Sequence, residues 1–219
     1  MEQISEKSIE RLILYRRLLL GLQARGVIHI YSHELAAMAG VTAAQLRKDL
    51  TPTGYYGSPV YGYEINQLMS SISEIIDAPE MQNVALVGLG QLGRAVLDYF
   101  QGRRPKLQIM AAFDTDPSKI NRVIHGCRCY HIDELEKVIK QNNIIVGILA
   151  VPPDEAQEIA ERMVMAGIKG LLNYAPVQLK LPEDVYVENR DMIMAVEKVA
   201  FFARQSLKGK EVGIHESIS

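Results

Sequence analysis

The sequence predicts an α/β protein in two folded parts: a winged helix-turn-helix domain, then a parallel-sheet domain with helical crossovers, followed by an apolar terminal helix. Three observations predict it. Residues 32–49 read SHELAAMAGVTAAQLRKD, two short helical patterns broken at Gly40. From residue 83 onward, apolar runs alternate with helical patterns, the signature of βαβ units. Where the second pattern begins, the run Val84-Ala-Leu-Val87 leads straight into Gly88-Leu-Gly-Gln-Leu-Gly93.

In the first domain, Ser5 to about Arg25 has Ile9, Leu12, Ile13, Leu19 and Leu20 near helical spacing, with Gly26 as a stop,. Val27 to Ile30 is a short extended link. Ser32 is the expected N-cap of a helix over 34–39, because its hydroxyl can accept a free first-turn N–H. Gly40 suits the left-handed residue that ends that helix, and Thr42-Ala-Ala-Gln45 reads as a capping box for the next. Ala36 and Gly40 are small where the helices would approach, and Leu35, Val41 and Leu46 would share a core.

The second helix then presents Ala44, Gln45, Arg47 and Lys48 outward. A helix of this length fits the major groove, where Arg or Lys reads guanine and Gln reads adenine. Residues 50–65 are rich in Gly, Pro and Tyr, which predicts a β-hairpin wing able to hold phosphates through tyrosine hydroxyls and backbone N–H groups. The candidate DNA contacts are Thr42, Ala44, Gln45, Arg47, Lys48 and, in the wing, Tyr55. Glu64 to Asp77 is the closing helix, with Ile65, Leu68, Met69, Ile72 and Ile76 on one face, and residues 78–81 form the joint.

In the second domain the expected strands are 84–87, 108–113, 144–151, 170–173 and 185–187. The expected helices are 91–101, 133–142 and 154–166, the last closed by Gly167. The glycine motif follows a strand and opens a helix, and Asp114 ends the next strand 21 residues past Gly93. That context is the full dinucleotide-binding, Rossmann-type fingerprint. Gly88 makes the tight turn, Gly90 admits the pyrophosphate, and Gly93 lets the helix pack on the strand. The N–H groups from Leu89 through Gln91, Leu92 and Gly93 open the helix toward the phosphates. Asp114 can accept from the adenosine ribose hydroxyls and would repel a 2′-phosphate, which favours NAD(H). Asp116 is a second ribose candidate and a candidate turn cap. Ala150-Val151-Pro152 and Tyr174 follow later strands, where residues line the cofactor crevice of such a sheet.

Composition bounds the functions. At 219 residues, with 48% hydrophobic and 23% charged residues, the chain suits two modest soluble domains,. No apolar run approaches the ~18 to 20 residues of a membrane span, and the N-terminus lacks a signal-peptide pattern. Cys127 and Cys129 are the two cysteines, too few for a disulfide framework, so a cytoplasmic setting is expected. The net charge of -2 hides a local excess, since residues 1–62 hold seven Lys/Arg against five Asp/Glu. That excess is mild, and DNA affinity would have to come from placed contacts and paired modules.

His125-Gly-Cys-Arg-Cys-Tyr-His131 offers metal-ligating residue types, but alternate strand side chains stand ~6.5 to 7 Å apart and cannot converge on one tetrahedral ion. It reads as a strand with incidental thiols, and no metal is expected. Residues 189–207 form a terminal helix apolar on more than one face, which predicts a second subunit as its partner.

These residues resemble the Rex family of redox-sensing transcriptional repressors over nearly the whole chain. The resemblance rests on Ala44-Gln-Leu-Arg-Lys-Asp-Leu50, Gly62-Tyr63, Val87-Gly-Leu-Gly-Gln-Leu-Gly-Arg94, Ala111-Ala-Phe-Asp-Thr-Asp-Pro117, Gly147-Ile-Leu-Ala-Val-Pro152 and residues 166–177. It implies a homodimer on palindromic operator DNA, released by NADH, with NAD+ competing weakly or favouring the bound form. It also implies a C-terminal helix exchanged between subunits, and switch residues at Arg17, Tyr99 and Asp191.

Family wings often carry Lys or Arg between their glycines, but Tyr56-Gly-Ser-Pro-Val-Tyr-Gly62 has none, leaving Tyr55 and Tyr61 as substitutes. The domains expected are 1–80 for DNA, 81–190 for NAD(H) and 191–219 for the exchanged helix and polar tail. An NAD-dependent dehydrogenase is the main rival. It lacks room for a substrate domain and shows no His–Asp or Lys constellation, so no catalytic residue is assigned. A coenzyme A-binding domain is the second rival.

Overall fold

The computed structural model describes residues 4–100 and 106–215, with side chains as far as Leu207. It divides into two compact units, residues 1–79 and 80–219.

The first unit is built on α1 (Glu6–Gln23), whose N-cap Ser5 accepts from Ser8 N–H. Strand β1 (His29–Ile30) leads to α2 (Ser32–Ala39) and α3 (Ala43–Leu50), and β2 (Tyr63–Glu64) leads into α4 (Ile65–Ile76). Strands β1 and β2 pair antiparallel, His29 with Glu64 and Ile30 with Tyr63. Leu12, Tyr15, Leu19, Leu35, Leu46, Ile65, Leu68 and Ile72 form the buried centre of the unit. Each buried aliphatic side chain among them stabilises the folded state by roughly 1.5 to 3 kcal/mol relative to exposure, so the core drawn from all four helices holds the short sheet, and not the reverse.

Several local expectations are corrected here. Ser32 does not cap a helix over 34–39. The helix starts at Ser32 itself, the extended residue before it is Tyr31, and the Tyr31 N–H donates to the Glu34 carboxylate at 2.8 Å. The capping box is half made: Thr42 Oγ1 accepts from Gln45 N–H at 3.1 Å, but the Gln45 side chain turns to Asp49 instead. Gly40 is required by its φ of +68° and not by helix approach, since an added Cβ would meet nothing within 4 Å.

The wing is also smaller than a hairpin. Residues 51–53 make a 3-10 turn, and the wing closes on a single bridge between Ser58 and Gly62. Pro59 has no N–H for a longer ladder. Ser58 Oγ accepts from the N–H groups of Val60 and Tyr61 in its place.

The second unit is a seven-stranded sheet. Its strands are β3 (Gln82–Val87), β4 (Leu107–Asp114), β5 (Val123–Ile124), β6 (Cys127–His131), β7 (Val146–Leu149), β8 (Gly170–Asn173) and β9 (Tyr186–Asn189). The helices are α5 (Gln91–Phe100), α6 (Leu135–Gln141), α7 (Pro153–Ala166) and α8 (Met192–His215). In space the order is β5-β6-β4-β3-β7-β8-β9. All neighbours are parallel except β5 and β6. Counted from β3, the parallel strands run 3-2-1-4-5-6, the doubly wound dinucleotide-binding order, whose crevice opens where the order reverses, between β3 and β7,.

Boundaries shift modestly. The expected helix over 133–142 begins as a 3-10 turn at Ile132–Glu134, and Gln101, the expected end of α5, lies outside the described residues. Strand β5 was not expected. It pairs with β6 across a turn in which His125 and Gly126 both take positive φ, 45° and 76°. The terminal helix starts at Met192, because Asn189 still belongs to β9, and it runs on to His215. The expected polar tail is therefore helical to that residue, and residues 216–219 lie outside the described part.

Candidate functional site

At the carboxyl end of β3 the chain turns at Gly88, whose φ is +93°. An added Cβ there would overlap the Ala150 carbonyl oxygen, and at Gly93 it would overlap the Gly88 carbonyl oxygen. The loop is thus clamped from both sides by backbone. Gly90 is different: its Cβ direction is open, with nothing within 4 Å. A cradle that only a glycine side keeps open, at the N-terminus of α5, fits an approaching pyrophosphate.

This loop borders a cavity of about 240 Å³ that brings together Gly88, Gly90, Asp114, Ala150, Val151 and Pro152, with Lys119 and Glu155 on the same wall. Leu89 is fully buried and contributes its N–H, which donates to Asp114 Oδ2 at 2.8 Å. Gln91, Leu92 and Gly93 form the first turn of α5 and do not line the cavity. Asp116 lies outside it, and its Oδ1 accepts from Ser118 N–H across Pro117.

Asp114 is less free than the sequence implies. Oδ1 accepts from Asp116 N–H at 2.8 Å, and Oδ2 from both Leu89 N–H and the Lys119 ammonium. Burial pushes the Asp114 pKa up, but these hydrogen bonds outweigh it and hold the carboxyl below its ordinary range. Lys119 balances the same way: burial lowers its pKa, and the Asp114 bond more than reverses that.

Tyr174 and Asp191 meet elsewhere, in a cavity of about 680 Å³ with Arg190 and Lys198. Asp191 Oδ1 accepts from Met194 N–H at 2.9 Å and so caps the start of α8. Asn173 organises this corner. It is fully buried, its amide donates to Ala175 O, Val177 O and Asn189 Oδ1, and its Oδ1 accepts from Ala175 N–H. Tyr99 stands on the exposed side of α5, outside both cavities, and Arg17 is exposed on α1.

The cysteine segment forms β6 as expected, with Cys127 and Cys129 buried as free thiols. Burial pushes their pKa values up to about 12 and about 11, so neither is a poised thiolate at neutral pH. Among the described residues no group of three or more His, Cys, Asp or Glu could hold a metal ion, and no helix is long and apolar enough to cross a membrane.

In the first unit, Thr42 at the N-cap of α3 and Ala44, Arg47 and Lys48 on the helix are exposed. Arg47 Nη1 donates to Ser32 Oγ at 3.0 Å, which steadies it against α2. Arg47, Lys48, Tyr55 and Tyr56 border a shallow cleft of about 250 Å³. Gln45 is half-buried, with its amide 3.0 Å from Asp49. The Tyr55 hydroxyl accepts from Glu64 N–H, while Tyr56 and Tyr61 stand out into solvent.

Asp49 is the residue sequence reasoning passed over. It is buried, and it accepts from Arg11 Nε at 2.6 Å, Arg11 Nη2 at 2.7 Å, Tyr15 Oη at 2.8 Å and Gln45 Nε2. Burial pushes its pKa up, yet the Arg11, Tyr15 and Gln45 hydrogen bonds win and leave it lowered. One carboxylate thereby ties α3 to α1. The available signal was an acid at the C-terminal end of a helix, where the dipole disfavours it.

A winged-helix unit followed by a doubly wound dinucleotide-binding unit defines the class: two-domain proteins that join a DNA-binding fold to a nucleotide-binding one. The comparisons narrow it. Residues 3–51 match the family model "Putative DNA-binding protein N-terminus", and residues 79–177 match the "CoA binding domain" model. The chain is 40% identical over 200 residues to the redox-sensing transcriptional repressor Rex of Syntrophobacter fumaroxidans, covering 91% of this chain and 95% of that one. It is 36% identical to the Rex of Roseiflexus sp. over 99% of both chains. The crystal structure of the Rex-family repressor RSP in complex with β-NAD+ and operator DNA matches with a TM-score of 0.87, 32% identity and coverage of 97% and 98%. The RSP complex with β-NADH matches with a TM-score of 0.84 and 31% identity, covering 97% of this chain and 100% of that one. The chain belongs to the Rex family of redox-sensing transcriptional repressors.

Proposed function

We propose that this protein represses transcription by binding palindromic operator DNA as a homodimer through α3, and that NADH in the β3–β7 crevice releases it. Its occupancy then reports the NADH/NAD+ ratio. The observation that carries the reading is the pairing, on one chain, of the exposed Arg47-Lys48 face with a glycine cradle left open at Gly90. The RSP complexes with operator DNA and with β-NADH support it. In this reading the dinucleotide is sensed and not turned over.

The residues have distinct tasks. Gly88, Gly90 and the first N–H groups of α5 hold the pyrophosphate, Asp114 accepts from the ribose, and Ala150, Val151 and Pro152 wall the crevice. Arg47 and Lys48 read base edges, with Thr42 and Ala44 beside them on α3. Gln45 and Tyr55 serve mainly to position the face, since their polar atoms are engaged within the unit.

Bound NAD+ carries one positive charge more on its nicotinamide ring than NADH does, and that difference biases the switch. Asp191 now caps α8, and drawing its carboxylate toward Tyr99 or Arg17 costs α8 a cap worth about 1 kcal/mol. The switch therefore trades a helix cap for a new ion pair or hydrogen bond, a balance that a unit charge nearby can tip.

Arg47→Ala together with Lys48→Ala is expected to lower operator affinity by at least ~30-fold, because each lost base contact is worth about 1 to 3 kcal/mol. NADH affinity should not change. Fluorescence anisotropy and calorimetry measure the two separately, and unchanged operator binding would sink the proposed reading face. A calorimetric titration with coenzyme A tests the ligand class named by the second matching model.

The dimer reading rests on α8. Ile193, Val196 and Val199 are each more than two-thirds exposed, and Phe202 is 55% exposed. Such a helix face is unstable in water and calls for a partner, which a second α8 supplies by symmetry. Val199→Asp with Phe202→Asp is expected to give monomers in sedimentation velocity at micromolar concentration. Persistence of the wild-type mass would remove α8 from the interface.

A further inference from the structure

The carboxylate expected to read the adenosine ribose has a cationic neighbour. Lys119 Nζ lies 3.0 Å from Asp114 Oδ2 and 3.4 Å from Asp116 Oδ2. Its side chain is only 15% exposed and stands on the wall of the same cavity as Gly88, Gly90 and Asp114. The backbone of the turn that carries it is fixed, because Lys119 N–H donates to Asp116 O at 3.0 Å and Ser118 N–H donates to Asp116 Oδ1.

In a site read by a lone acid, that acid accepts from the ribose hydroxyls and repels a 2′-phosphate. Here the three-residue cluster carries two negative charges and one positive, with the positive one on the cavity wall and Asp116 outside it. The charge facing the ribose position is therefore close to balanced. An ammonium with three donors keeps one for a phosphate oxygen after its bonds to the two carboxylates.

Resting on the cradle reading above, we propose that Lys119 is a specificity-determining residue of this site. It cancels the repulsion of Asp114 and gives a charge-assisted hydrogen bond to a phosphate on the adenosine 2′ position. The site then admits 2′-phosphorylated dinucleotides as a second, weaker ligand class. This departs from the sequence expectation that Asp114 repels a 2′-phosphate.

The test titrates the full-length protein with NADH and with NADPH at fixed ionic strength, for wild type, Lys119→Met and Lys119→Arg. Wild type is expected to bind both, NADH more tightly. Lys119→Met should weaken NADPH by about tenfold and NADH by less than about threefold, since one charge-assisted bond is lost to the phosphate alone. Lys119→Arg should restore NADPH binding. The readout is the NADPH/NADH ratio, which partial unfolding moves equally in both arms. An unchanged ratio in Lys119→Met, or NADH binding without detectable NADPH binding in wild type, overturns the proposal and leaves the cradle standing. Absence of binding by either dinucleotide overturns both.

Discussion

Asp49→Ala is expected to destabilise the DNA-reading unit by roughly 3 to 5 kcal/mol, the range for breaking a buried pair and stranding its partner. The loss has two parts. Arg11 keeps its charge without the two short bonds at 2.6 and 2.7 Å, and the buried Tyr15 hydroxyl loses its acceptor. The Gln45 amide is also released from 3.0 Å, so the orientation of α3 against α1 loses its polar anchor. Urea unfolding of the full-length protein, followed by circular dichroism, measures the stability term. Retained midpoints in Asp49→Ala would mean that the apolar core alone places α3.

The same carboxylate sets a pH dependence. Its folded pKa is lowered, so the stability it contributes is fully present above the ordinary carboxylate value of about 3.9 and is lost as pH falls through the folded value. The first unit of wild type should therefore lose stability steeply below about pH 4. Asp49→Asn should flatten that slope while lowering the plateau at neutral pH.

The second large effect separates folding from binding within one glycine motif. Gly93→Ala puts a methyl against the Gly88 carbonyl oxygen. Backbone cannot yield there as a side chain would, so the loop must shift or α5 must move off β3. Overpacking costs about 1 to 3 kcal/mol or more, and both thermal stability and NADH binding should fall. Gly90→Val sends its Cβ into open space, with nothing within 4 Å of that atom, so the melting temperature should stay within about 2 °C of wild type. NADH affinity should nonetheless drop by at least ~100-fold, because the new side chain fills the space held for the phosphates. If Gly90→Val binds NADH normally, the pyrophosphate does not lie over this loop.

What the sequence revealed follows from which interactions are local. The helix-turn-helix and the βαβ order were legible because apolar spacing and glycine placement report on neighbours close in the chain. Thr42 as a cap, Gly88 at positive φ and Asp114 at the end of β4 all belong to that kind. The misses are contacts made at a distance. Asp49 meets Arg11 across 38 residues, and Asn173 meets Asn189 across 16; neither pairing leaves a periodic trace.

Ser32 misled because Ser is a common N-cap, while Glu34 moves the cap one residue earlier by holding Tyr31 N–H. The wing was overestimated because turn residues predict a reversal of the chain but not the number of rungs that follow it. Lys119 was missed through attention to Asp114 alone, five residues upstream, although an acid at a strand end followed by Lys on the next turn is a readable pair.

Whether NADH releases this protein from DNA is decided by fluorescence anisotropy of a labelled duplex from the gene's own upstream region, at fixed salt, titrated with NADH and separately with NAD+. The free protein should bind the duplex tightly and specifically and be released by NADH at far lower concentration than NAD+. Tight binding that is indifferent to both dinucleotides would contradict release by NADH.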